Sequence, residues 1–151
     1  MKLLKYSFLL ILSCVMLSCA SFRNKGLDAF YKEYSQEITS LRIPKMLYQF
    51  TGSHKELKPL TKYLKATRVV SIENISNKML RDLDKALEND RYEEFISINS
   101  EGDLITILAA EKKDRITHIV LKIKDEDEIN LIQTRVDLPV DKFQEILSSL
   151  N

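Results

Sequence analysis

His54 and His118 are the only imidazoles in this chain of 151 residues, and its two cysteines, Cys14 and Cys19, lie far from both. A zinc site draws three or four ligands from Cys, His or carboxylate at short recurring spacings, and no such grouping is present. His118 falls in the alternating run Ile116 to Lys124, in phase with Val120, Lys122 and Lys124. That phase reads as a solvent-facing or half-buried strand side chain. As a general base it would need a partner within hydrogen-bond reach, and no G-x-S-x-G surrounds any serine.

Asp125-Glu126-Asp127-Glu128 has the charge to attract calcium, but it lacks the glycine and the distal bidentate Glu of an EF-hand loop and reads as a polar hairpin tip. Asp82 with Asp84, and Glu93 with Glu94, are adjacent or nearly so and need not converge as a catalytic dyad does. Gly26, Gly52 and Gly102 stand alone, whereas phosphate-cradling loops cluster glycines ahead of a helix. The expectation is a chain with no metal, no cofactor and no catalytic constellation, hence not an enzyme. The alternative is a small hydrolase or ligand-processing enzyme whose residues meet only in three dimensions.

Chemistry of another kind is written at the N-terminus. Lys2 and Lys5 precede an apolar run from Tyr6 to Leu17, broken only by Ser7, Ser13 and Cys14. A run of about a dozen residues is short of the roughly 20 that cross a bilayer, so it reads as a signal peptide. Met16-Leu17-Ser18-Cys19 resembles the lipobox of bacterial lipoproteins, in which the cysteine becomes the acylated first residue. Ile11-Leu12-Ser13-Cys14 also fits, but it would leave an apolar core of only about eight residues. Cys19 is therefore the expected lipidation site. Residues 1–18 form the signal peptide, 19–26 the lipidated cysteine and a short tether, and 27–151 a single domain. No internal disulfide is left to the mature chain.

Cleavage there leaves 133 residues, enough for one domain with a real core. Without Lys2 and Lys5, 21 basic residues face 22 acidic ones, a balance that argues against a nucleic-acid partner. The balance is uneven along the chain. Between Leu41 and Val70, seven bases stand against Glu56 alone. Within that segment Lys55, Lys58, Lys62 and Lys65 would form one cationic stripe on a continuous helix, opposite Leu57, Leu60 and Leu64. Such a stripe reads as a solvated helix face; as a functional surface it would suit anionic lipid headgroups or an acidic protein partner.

The elements that must position these residues follow from periodicity. Leu27, Phe30, Tyr31 and Tyr34 mark one face of a first helix. Ile38, Leu41 and Ile43 form a short strand stopped by Pro44, with a helical turn over Met46 to Phe50 and a break at Thr51-Gly52. Ser53 to Glu56 matches a capping box, although Pro59 moves the start of that helix toward Lys58-Pro59 or kinks it. Arg68 to Glu73 is a β-branched strand. Ser76, with Ile75 before it and Leu80 after, opens a helix whose stripe is Met79, Leu80, Leu83, Ala86 and Leu87.

Four alternating runs follow, Phe95 to Asn99, Leu104 to Ala110, Ile116 to Lys124 and Ile129 to Val136, with short polar separators that predict adjacent antiparallel strands. Phe143, Ile146, Leu147 and Leu150 close the chain as a helix opened by Pro139. The expected class is α+β: a largely antiparallel sheet ending in a four-strand meander, with helices packed mainly on one face.

Taken together, Phe30-Tyr31-Lys32-Glu33-Tyr34, Ile38 to Ile43 with Pro44-Lys45-Met46-Leu47, Val69-Val70-Ser71-Ile72 and the closing four strands look like the lipoprotein family catalogued as domain of unknown function 4252, typical of the Bacteroidetes. The resemblance spans nearly the whole mature chain. Members often carry a glycine near the end of the last strand, where this chain has Thr134-Arg135-Val136. The resemblance implies a lipidated envelope domain with no catalytic residues to carry over. In lipoproteins of that group, an acidic tract after the acylated cysteine accompanies surface display, and Ala20 to Lys25 has none. The implied address is the periplasm-facing outer membrane. Lipid tethering, a sheet-plus-helix domain and the absence of an assembled active-site pattern together point to a binding or regulatory module, with an envelope protein as partner and the basic segment from Arg42 to Arg68 as its candidate surface.

Overall fold

The computed structural model describes residues 24–44, 62–100 and 102–148. In chain order these form α1 (Lys25–Glu33), β1 (Ile38–Pro44), β2 (Leu64–Ile72), α2 (Asn77–Asn89), β3 (Glu93–Ser100), β4 (Asp103–Glu111), β5 (Arg115–Asp125), β6 (Glu128–Pro139) and α3 (Val140–Ser148). The strands make one antiparallel sheet in the order β1-β2-β6-β5-β4-β3. The α+β class and the four-strand meander β3 to β6 are those expected. What periodicity could not supply is the join: β6, the last strand made, inserts between β2 and β5.

Period-two alternation gives the sheet two faces. On one face α1 and α2 bury Leu27, Phe30, Met79, Leu83, Ala86 and Leu87 against Val70, Ile72, Leu108, Val120, Ile129 and Leu131. On the other, α3 seats Phe143 against Ala109, Ile116, Val136 and Leu138, with its ring edge-on to Phe95 at 5.0 Å. Two helices thus share a face, and α3 takes the opposite one because β6 ends with Val136 and Leu138 pointing away from the side of Ile129 and Leu131. A bulge between Ile116 and His118 puts Ile116 on the α3 side although Val120, four residues on, faces α1 and α2.

Local chemistry fixes the helix starts. Ser76 Oγ accepts from the Met79 N–H at 3.1 Å, and Ile75 and Leu80 pack against the core as a staple. Ser76→Ala is expected to cost about 1 kcal/mol, read as a lower urea midpoint at constant slope. An unchanged midpoint would show that water replaces the cap.

α1 is capped from a distance. Asn24 makes no side-chain cap of its own; instead Asp90, just past α2, accepts from Gly26 N and Leu27 N, both at 2.8 Å. Asn24 is itself buried and donates to the Tyr92 hydroxyl. At the other end of the pair, Tyr34 donates to Asp82 and Lys78 reaches both, so the two helices run antiparallel. Asn24, Lys25 and Gly26, expected from the sequence to belong to the tether, are thus part of the fold: Lys25 and Gly26 open α1, and Asn24 and Gly26 are held by these contacts.

A second correction concerns the helix expected to carry Leu57, Leu60 and Leu64. Leu64 is already strand, paired with Val136. The β-branched residues Thr67, Val69, Val70 and Ile72 zip onto β6, and the pairing runs back past Arg68, where the strand was expected to begin. The helical turn over Met46 to Phe50 and the capping box at Ser53 lie outside the described residues.

Candidate binding surface

Cross-strand register aligns the aliphatic residues of the face that α3 only partly covers. Leu41 pairs with Val69, Val69 with Ile132, Ile132 with Leu121, Leu121 with Ile107 and Ile107 with Ile96, a row crossing all six strands. Beside it Ile123, Ile105 and Ile98 continue the surface over β5, β4 and β3, whereas Asn130, Ser71 and Thr39 make it polar over β6, β2 and β1. The row is half-buried from Val69 to Ile96, Leu41 at its β1 end is 64% exposed, and Ile98, beside Ile96 on the β3 edge, is 45% exposed. Water meets a continuous aliphatic band there. Burying one such side chain fully is worth about 1.5–3 kcal/mol, so covering the exposed part of several supplies a driving force for a partner.

The residues singled out from sequence are dispersed. Lys62 and Lys65 are exposed, Lys62 in the turn before β2 with its Nζ 4.7 Å over the Tyr63 ring, Lys65 on β2 itself. They are not on one helix, so the stripe geometry does not extend to Lys65. Lys55, Lys58, His54 and Cys19 lie outside the described residues. Asp125 to Glu128 form the β5–β6 turn as expected and, with Glu73 and Asn74, line a shallow hollow. Among the described residues no three His, Cys, Asp or Glu side chains are grouped to hold a metal ion. Nor, among them, is any helix long and apolar enough to cross a membrane.

His118 shares the α1/α2 face with Val120 and is half-buried. Its Nδ1 lies 3.2 Å from Thr117 Oγ1, which donates its own proton to Ala110 O at 3.0 Å. The imidazole must then donate through Nδ1–H, which leaves Nε2 a bare acceptor, buried and without a partner. Burial first, and the Arg135 charge second, hold its pKa below the ordinary value, with Asp90 opposing. An unfolded His118 titrates near 6.5, so as pH falls through that value the unfolded chain takes up a proton the folded one resists. Stability is present above that pH and lost below it. The melting temperature of the native chain should fall more steeply between pH 7 and 5 than that of His118→Leu. Parallel curves would refute the assignment.

Sequence reasoning missed a polar seam beneath the helices. Arg68, 4% exposed, reaches Asp28 at 3.1 Å and lies 5.0 Å over the Tyr31 ring. Its strand partner Gln133 is fully buried, with Nε2 3.4 Å from the Tyr92 hydroxyl and Oε1 unpartnered. Burial raises the pKa of both Tyr31 and Tyr92; Arg68 opposes the first, and hydrogen bonds from Gln133 and Asn24 oppose the second. The signal for the seam was an Arg inside a β-branched run and a Gln between Ile132 and Thr134, neither of which shows which face it occupies.

A family model described as a domain of unknown function, DUF4252, matches residues 31–146. No curated protein and no solved structure matches the chain.

Proposed function

We propose that this chain, which belongs to the DUF4252 family, is a non-catalytic binding or regulatory module of the cell envelope, tethered by lipid on Cys19 and engaging an envelope protein through the half-covered face of its sheet. The observation that carries the reading is the aliphatic row from Leu41 to Ile96, a surface whose burial a partner would complete. The lipobox-like Met16-Leu17-Ser18-Cys19 supports the tether, and the lack of acids from Ala20 to Lys25 supports a periplasm-facing position on the outer membrane. Lys55, Lys58, Lys62 and Lys65 remain candidate contacts for an acidic partner or an anionic surface.

Photo-crosslinking residues placed at Leu41, at Ile98 and at the exposed Lys85 of α2 test the surface in cells. A common adduct from the first two positions and none from Lys85 is the expected result; no adduct from Leu41 and Ile98, or the same adduct from all three, would end the proposal. With the partner in hand, Leu41→Glu should weaken binding roughly 10–100-fold while moving stability by no more than about 0.5 kcal/mol, since the side chain is exposed. Charge reversal at Lys62 and Lys65 reads the basic contribution separately.

A further inference from the structure

The direction of each strand sorts the charges. α1 begins, and β1 and α2 end, at the same end of the sheet as the Lys112–Asp114 turn and the starts of β2 and β3. Lys25, Lys62, Lys65, Arg91, Lys112 and Lys113 are exposed at this end, interspersed with Glu88, Glu93, Glu94, Glu111, Asp114 and Asp141. Two further carboxylates there are already engaged, Asp137 by Arg115 and Asp90 by the first turn of α1. At the opposite end the turn Asp125 to Glu128 stands with Glu33, Glu37, Glu73 and Asp103, and the bases there are Lys32, Lys124 and Lys78, the last engaged by Glu33 and Asp82. The domain is an electrostatic dipole along its strands, mixed at one end and acidic at the other.

The chain enters the fold at the mixed end. Asn24, held by Tyr92, is five residues from Cys19, a span of at most about 18 Å when fully extended. The 12 residues of β6 extend about 40 Å between the two ends. A tether that short leaves two arrangements, upright on the mixed end or lying with the sheet along the surface. Lying flat brings the acidic rim into the potential of anionic headgroups, which is felt within about 8 Å at physiological salt. Standing upright removes the rim from it and sets the mixed end, with its six bases, against it.

We infer that the end of the domain carrying Lys25, Lys62, Lys65, Arg91, Lys112 and Lys113 rests against an anionic lipid surface, holding the domain upright with the Asp125–Glu128 rim facing away. This rests on the lipid tether at Cys19 and adds its orientation. The mature chain has no thiol but the acylated one, so a single added cysteine labels one site. The acylated full-length protein, as Lys113→Cys or Glu126→Cys, is labelled with a fluorophore. It is then reconstituted in phosphatidylcholine vesicles with and without phosphatidylglycerol, with a headgroup spin label as quencher.

In the anionic vesicles, quenching at position 113 should exceed that at 126 several-fold, and high salt should narrow the gap. Reversing Asp125, Glu126 and Asp127 to Lys, with the label moved to Asp103→Cys, should bring the far end down and raise quenching there. Equal quenching at 113 and 126 in protein shown by mass spectrometry to be acylated overturns the orientation alone. An unacylated Cys19 overturns the tether, and the orientation with it.

Discussion

Replacing Gly26 with alanine is expected to lower the melting temperature by roughly 6–15 °C, because the added methyl has no room. A Cβ at that position would stand 2.4 Å from the carbonyl oxygen of Ala86 and 3.1 Å from its carbon, both backbone atoms of α2. No rotamer relieves that contact, so α1 must move. Movement breaks the two hydrogen bonds from Asp90 to Gly26 and Leu27 and draws Asn24 off Tyr92. Overpacking of this kind costs about 1–3 kcal/mol, and the lost cap adds about 1 kcal/mol. At a few degrees per kcal/mol for a domain of this size, the shift is large. Hydrogen exchange locates it: amides of α1 should lose protection first while β5 and β6 keep theirs. An unchanged melting temperature would mean that α1 sits farther from α2 than these distances allow.

Arg68→Ala is expected to cost about 3 kcal/mol, and Arg68→Met less than about 1 kcal/mol. The comparison separates packing from charge. Arg68 is almost fully buried, yet its partner Asp28 has a side chain 44% exposed, so water recovers most of what the carboxylate loses when the guanidinium is gone. What alanine cannot replace is the volume of the side chain between Tyr31 and the sheet, which methionine largely restores. Urea unfolding of the two variants decides the point, and equal costs would show that charge rather than packing holds the seam. Arg68 also works against the burial that raises the Tyr31 phenol.

Elements set by local chemistry were legible in the sequence. Ser76 with Ile75 and Leu80 announced α2, and polar separators announced the turns of the meander, because a cap and a tight turn depend on neighbours in the chain. Leu64 and Lys65 misled for the complementary reason. Leucines at 57, 60 and 64 carry a helical period, but strand pairing with Val136, 72 residues away, decides the state of Leu64. The binding face was half legible. Alternation in Ile105, Ile107, Ile119, Leu121 and Ile123 separates two faces without saying which is covered, and the cover comes from α1 and α2 on the other one. Alignment of Leu41 with Ile96 through four intervening strands needs the sheet order, which no single strand encodes. The Asp90 cap of α1, 63 and 64 residues from its donors, left no local trace.

The place of β6 has a consequence for how the molecule comes into being. Until residues 128–139 are made, β1 with β2 and β3 with β4 and β5 are two separate fragments, each with an open edge where β6 belongs. Neither can close a core, since Ile129 and Leu131 at its centre follow both fragments in the chain. A nascent chain thus cannot complete this fold until residues 128–139 have been made. For a polypeptide that must thread a translocation pore unfolded, as the proposed secretion requires, that delay is built into the strand order itself.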